Sequence, residues 1–395
     1  MKRTLFFLLA FLFLIVMFVV ALYVPNSLPV NSDFSAIYNT DLALVNRVPI
    51  YDLPKVEVLA QQHSGIPPEN FFLARFPYPP WYALSTFYLG FMSARAAATL
   101  WFELNLVMLF LSIWFLTDGW PGRLRLIAFP LGLFFLPVLG ALSVGQYDFP
   151  VLLGTSLLIY SLRKQNVTLT TLGAVLLTFK PHIGALILLS LLGWLIGSRS
   201  GFGRGVMRSL LIAGVFLFMI SFVADPSWII SYPKMLLNYQ SEGNVSACSE
   251  CASLPVSLSR WFFDGSLSTA TMIAVVLLLV LMILFYFVLP SLKTPEFLLT
   301  AALLTTLLVS PYLYNYDFLL LLVPFAVLPK QGNLVQIIIV LICYFIPSFA
   351  LLLLGRLGNI SLILVTVVLI VLLYLGMLRV LRMKNPVIDF TARPA

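Results

Sequence analysis

The stretch TLTTLGAVLLTFKPHIGALILLSLLGWLIG, residues 168–197, decides how this chain is threaded. It is apolar almost throughout, yet Lys180-Pro181-His182 interrupts it near the middle. About twenty apolar residues suffice for one helical crossing of a bilayer, and this run is longer than that. Proline inside a helix removes a hydrogen bond and crowds the preceding turn, while a cation deep in an apolar run must face a cavity or a partner. Two threadings follow. In the first, 168–197 is a hairpin and the short segment at 78–92 only dips into the membrane. Arg123, Arg125, Arg163, Lys164, Arg199, Arg204 and Arg208 then share the cytoplasmic side, as the positive-inside bias prefers. In the second, 78–92 crosses fully, 168–197 is one kinked helix, and the first four of those charges lie outside. The sequence leaves both open.

Composition sets the solvent. Charged residues make up 10% of the chain and hydrophobic ones 61%, with a mean hydropathy of +1.03. A soluble domain carries about a quarter charged residues, so an all-α polytopic membrane protein is expected, with about 11–13 membrane helices, some of them short or re-entrant. The net charge of +8 arises from cations between apolar segments, which fits membrane topology and not nucleic-acid binding.

The chain reads as a single membrane domain over 1–395. A first membrane helix at 4–24 starts in the cytoplasm, an outer loop follows at 25–76, and membrane helices occupy 77–224. A second outer loop spans 225–267, helices resume at 268–380, and 381–395 is a cytoplasmic tail. Apolar residues at Phe34, Ile37, Tyr38, Leu42 and Val45 recur at helical spacing, predicting a short amphipathic helix along the membrane surface. No pair of matching broken helices marks two halves of a repeat transporter.

The chemistry concentrates in few places. Asp33, in NSDFSAIY (31–38), reads either as an N-cap of that surface helix or as a general base. Asp41 and Asp52 read as facing water. RFPYPPW (75–81) offers Arg75 and Tyr78, suited to membrane anchoring or, for Arg75, to a lipid phosphate. SVGQYDFP (143–150) places Gln146 and Asp148 between apolar segments, where a turn alone does not require them. Lys180 suits a phosphate, and His182 suits either substrate or the broken helix. SPYLYNYDF (310–318) ends in Tyr316 and Asp317, an acid that needs a partner, for which Arg260 in SLSRWFF is a candidate. Cys248 and Cys251 in CSEC read as a local disulfide or a redox-active pair, and Cys343 as inert packing. The two histidines, His63 and His182, lie far apart, so no metal site is expected, and nothing calls for a cofactor.

These stretches, in this order, resemble glycosyltransferase family 87. The features that carry the likeness are DF followed by Tyr38 after helix one, YPP at 78–80, LWFELN at 100–105, SVGQ at 143–146, LTFKPHIG at 177–184 and SPYLYNYDF. The likeness covers about residues 30 to 330. It implies a GT-C fold with an outward-facing site in a bacterial plasma membrane, both termini cytoplasmic, and no cofactor. The implied donor is a polyprenyl-phosphate sugar, mannose or arabinofuranose-like, and the acceptor a glycolipid or glycan among membrane lipids. By position, Asp33 matches the family's general base, and Gln146 and Lys180 match the mid-chain glutamine and lysine. Tyr38, Arg75, Tyr78, His182, Arg260, Tyr316 and Asp317 complete the expected donor-binding set. The chain departs from the family where Tyr316 and Asp317 stand in place of two histidines, Tyr314 in place of a tryptophan, and Asn46 in place of a glycine. Other readings of the same residues are a lipid-linked sugar transporter or flippase, an O-antigen-type polymerase or ligase, and a non-catalytic scaffold.

Overall fold

A computed structural model describes residues 32–64, 71, 73–198, 200–241, 251–286, 295–330 and 333–384. The first membrane helix expected at 4–24, Cys248, Arg199 and the tail beyond 384 lie outside them. Among the described residues the protein is an all-α polytopic membrane protein. Helices α1 (Asp33–Val45) and α2 (Leu53–Ser64) precede a short α3 (Pro80–Thr86), continued by a 3-10 turn over Phe87–Phe91. Then come α4 (Ala94–Leu116), α5 (Gly122–Phe134), α6 (Leu136–Val144), α7 (Asp148–Lys164), α8 (Val167–Leu177), α9 (Pro181–Ser198) and α10 (Gly201–Ala224). The rest comprises α11 (Trp228–Ser241), α12 (Leu254–Phe262), α13 (Leu267–Tyr286), α14 (Pro295–Val309), a 3-10 stretch Asn315–Leu321 leading into α15 (Leu322–Val327), then α16 (Leu334–Leu354) and α17 (Asn359–Lys384).

Among the described residues, five segments are long and apolar enough to cross a membrane: Ala94–Leu116, Pro181–Ser198, Gly201–Ala224, Leu267–Phe285 and Leu334–Leu378, with the pair α5–α6, bent by 56°, a sixth. Their outer faces carry large exposed apolar side chains such as Leu211, Ile212 and Val223, which only lipid solvates without cost. By contrast α7, α14 and Phe318–Val327 are apolar and buried nearly all round, the mark of central helices. Small residues let the centre close up. Gly154 on α7 and Gly173 on α8 approach so closely that a Cβ on either would stand 2.7 Å from the other's carbonyl oxygen, a packing mode favoured in membranes.

The stretch 168–197 is two helices meeting at Lys180, not one kinked span. Pro181 takes the first position of α9, where its missing N–H costs nothing, and Gly184 packs directly on the Leu177 carbonyl. The segment at 78–92 is broken into the short α3 and its 3-10 turn, neither long enough to cross a membrane. A Cβ on Gly205 would stand 3.2 Å from Val167 Cγ2, so Arg204 lies at the same end as Arg163 and Lys164, the charge grouping of the first threading. There Lys164 Nζ stands 3.5 Å from Asp118 Oδ2 and Arg163 Nε 2.6 Å from Glu296, and Arg125 lies over Trp114. Helix α7, rising about 25 Å over its length, therefore links two faces, with Asp148 at one and Arg163 at the other.

One expectation for the first loop changes. Helix α1 is packed against the protein on its apolar face and on part of its polar one: Phe34, Ile37, Leu42, Thr40 and Asp41 are all buried, and Gly90 of the 3-10 turn presses on the Asp41 backbone. Asp41 does not face water. It is fully buried, and its Oδ1 accepts a 3.0 Å hydrogen bond from Thr86 Oγ1. Asp52 remains at the surface, paired with Lys55 at 2.6 Å.

The Gly154–Gly173 contact predicts that Gly154→Val lowers stability by about 1–3 kcal/mol, read as a lower thermal unfolding midpoint of the detergent-purified protein. An unchanged midpoint would contradict the close approach.

Candidate active site

Ser32, with extended backbone, is the N-cap of α1, and Asp33 is the first helical residue. The carboxylate is therefore not spent on capping. It turns toward the break between α6 and α7, where Gln146 Nε2 donates to Asp33 Oδ2 at 2.8 Å and Tyr147 Oη donates to the Asp33 carbonyl at 2.6 Å. Gln146 is itself fixed: its Oε1 accepts from the Tyr147 backbone N–H at 2.8 Å. The break exists because Gly145 takes a left-handed conformation, φ 67°, and ends α6.

Behind this pair stands an aromatic wall. Tyr78 and Tyr147 have ring centroids 4.4 Å apart, and Tyr82 stacks on Phe179 at 4.5 Å and 16°. Phe179 directly precedes Lys180, so the wall ties the first-loop helix to the hairpin tip. Tyr78 carbonyl accepts from Tyr51 Oη at 2.6 Å, and Trp81 Nε1 donates to Thr178 Oγ1 at 2.9 Å.

At the tip, Lys180 Nζ donates to Asp148 Oδ1 at 2.7 Å and to Asp317 Oδ1. All three side chains are buried, Lys180 at 3% exposure. Asp317 is held in turn by the backbone N–H of Tyr314 at 2.6 Å, part of a capping box that starts the 315–321 stretch. The partner that Asp317 needs is therefore Lys180 and not Arg260. Tyr316 lies beside the triad, its ring centroid 5.8 Å from Lys180 Nζ.

These groups surround one cavity of about 820 Å³. Of the residues singled out from the sequence, Asp33, Arg75, Tyr78, Gln146, Lys180, His182, Tyr316 and Asp317 line it. His182 is open to it, with its ring edge-on to Tyr312 at 6.3 Å. Two others are not brought there. Tyr38 is half-buried and donates to the Met92 carbonyl at 3.0 Å, fastening α1 to the 78–92 segment. Arg260 is exposed on α12. Cys251 is buried and disulfide-bonded, and Cys343 is buried and free. The sequence marks Asp148 as unexplained by the turn without giving it a partner, and it passes over Tyr147; the partner of Asp148 is Lys180.

Burial raises the Asp33 pKa to about 6, with Asp317 adding to the rise, while Lys180 and the Tyr316 hydroxyl oppose it. A carboxylate so placed is ionised near neutrality yet basic enough to accept a proton, the condition for general base catalysis.

The triad predicts a sharp asymmetry between variants. Lys180→Met leaves two buried carboxylates facing each other and lowers stability by about 3–5 kcal/mol, measured by thermal unfolding. Adding Asp148→Asn to Lys180→Met restores part of the loss, whereas additive losses would show that the pair is not coupled.

A search of curated proteins and of solved structures finds no match. The sequence profile described as Glycosyltransferase family 87 matches residues 76–311, a span that includes the aromatic wall, Gln146, the Asp148–Lys180 pair and the tip of the hairpin. Covering more than half of the chain, this match shows that the protein belongs to glycosyltransferase family 87 and is a membrane glycosyltransferase.

Proposed function

We propose that the protein transfers a sugar from a polyprenyl monophosphate to a hydroxyl of a glycolipid or glycan acceptor, in the cavity beside Asp33 and on the outer face of a bacterial plasma membrane. The observation that carries this reading is the position of Asp33: a carboxylate on a cavity wall, oriented by Gln146 and poised near neutrality. Asp33 takes the proton of the acceptor hydroxyl, the oxygen forms its bond to the anomeric carbon, and the bond from that carbon to the phosphate oxygen breaks. The electron pair leaves with polyprenyl phosphate. Attack in line with the departing oxygen inverts the anomeric centre.

Charge accounting assigns the phosphate's partner. Lys180 is already matched by Asp148 and Asp317, and Asp33 adds a third carboxylate. A departing phosphate needs a further cation, and Arg75 on the cavity wall supplies a planar guanidinium that fits phosphate oxygens. Lys180 then acts as a positioning residue that fixes the acids around the cavity. The lipid tail leaves between α11 and α13, where Leu236 and Leu267 line the cavity and neighbouring Ile230 and Met272 are exposed to lipid.

Asp33→Asn is expected to keep the fold and to lower transfer by roughly 10²–10⁴-fold. In the wild type, transfer rises with pH through about 6, because protonated Asp33 cannot accept a proton. Near-normal turnover by Asp33→Asn, or a rate independent of pH between 5 and 7 on the order of the assay error, would remove Asp33 from the reaction.

A further inference from the structure

A second cavity, of about 670 Å³, lies at the other end of the same two central elements. Helix α7 reaches from Asp148, buried behind Lys180 of the first cavity, to Arg163 on the wall of the second, and the 315–330 stretch reaches from Tyr316 and Asp317 to Lys330. The second cavity therefore opens on the face opposite the candidate active site. Its walls are apolar. On α5 they include Leu124, Ile127 and Leu131, and on α16 Leu341 and Phe345, all exposed large apolar residues that line it. The groove is thus open sideways to lipid. Its floor is tied by Tyr344, whose hydroxyl donates to the Leu131 carbonyl, a group that the break after α5 would leave without a partner.

The polar end is unbalanced. Arg163, Lys164 and Lys330 meet two carboxylates, Asp118 and Glu296, which pair with Lys164 and Arg163. Lys330 has no carboxylate within ion-pair distance among the described residues. Its ammonium donates only to the neutral carbonyls of Leu116, at 2.8 Å, and Asp118, at 3.0 Å. One nitrogen of Arg163, Nη2, is buried without a hydrogen-bond partner. A half-buried cation at the end of a lipid-facing apolar groove calls for an anion attached to a hydrocarbon chain. The positive surplus also excludes a zwitterionic head group as the best match, since that brings no net charge.

We propose that this groove is a binding site for an anionic phospholipid of the leaflet opposite the active site, its phosphate on Lys330 and Arg163 and one acyl chain along α5 and α16. The site is independent of the transfer reaction. It gives the protein a means of anchoring the two central elements from below, since Arg163 ends α7 and Lys330 ends the stretch that carries Asp317.

The test uses the full-length protein reconstituted in nanodiscs of equal phosphatidylcholine and phosphatidylglycerol, transferred to detergent, with retained lipid read by native mass spectrometry. Wild type is expected to retain phosphatidylglycerol over phosphatidylcholine by about tenfold, the scale of one charge-assisted contact. Lys330→Met removes the charge, and Ala128→Trp fills the groove without touching it; each is expected to abolish the preference while the thermal unfolding profile stays cooperative. Equal retention of the two lipids by wild type, or an unchanged preference in both variants, would overturn the proposal. So would displacement of the retained lipid by millimolar inorganic phosphate, which would mark a free-phosphate site, or stronger retention of added polyprenyl phosphate, which would mark a donor site.

Discussion

The structure depends on one buried ammonium. Lys180 sits where two helices meet in the middle of the protein, and the carboxylates that hold it come from distant parts of the chain, Asp148 at the start of α7 and Asp317 after α14. A charge at that depth is tolerated only if paired and hydrogen-bonded. The pairing in turn adds a fixed register to elements whose other contacts are mostly apolar, the Gly154–Gly173 approach and the Thr170–Ser161 hydrogen bond apart. Apolar packing in lipid does not by itself select one arrangement of helices, because lipid tails are as apolar as leucine. Here the ion triad provides the selection.

Asp33 benefits from that arrangement without belonging to it. The elements that the triad locks carry Gln146, which orients its carboxylate, and Tyr316, which faces it. The ammonium stays close enough to oppose the effect of burial, and this balance leaves the carboxylate near neutrality. Removing the cation would tilt both the architecture and the titration of Asp33. In the function proposed above, the lysine contributes through position and field, and Arg75 on the cavity wall holds the phosphate. Where the resemblance sets two histidines, this chain has Tyr316 and Asp317, and here Asp317 pairs with Lys180 while the Tyr316 hydroxyl meets Asp33.

Much of this was legible in the sequence. Lys180 in an apolar run announced a buried site, because no bland packing explanation accommodates a cation there. The order of short polar motifs collected most residues that line the cavity, and the membrane class followed from composition alone. The failures share a cause. Asp41 was misjudged because helical periodicity tells which residues are apolar, not what covers the remaining side. Arg260 entered as a partner for Asp317 and Tyr38 through its place after DF in the first loop; neither lines the cavity, and their placement depends on tertiary paths that no local spacing encodes. The pairing of Lys180 with Asp148 joins residues far apart in the chain, and only the folded hairpin brings them together. The choice between two threadings likewise rested on whether Pro181 begins a helix or bends one, and both are compatible with the same letters.

The most direct measurement follows the fate of the lipid carrier. Purified protein in proteoliposomes is supplied with polyprenyl-phosphate mannose or arabinofuranose labelled in both sugar and lipid, together with a glycolipid acceptor extract. The account predicts that polyprenyl monophosphate appears in step with labelled acceptor. Movement of the intact donor from one leaflet to the other, with sugar and phosphate still joined and no acceptor labelled, would contradict it.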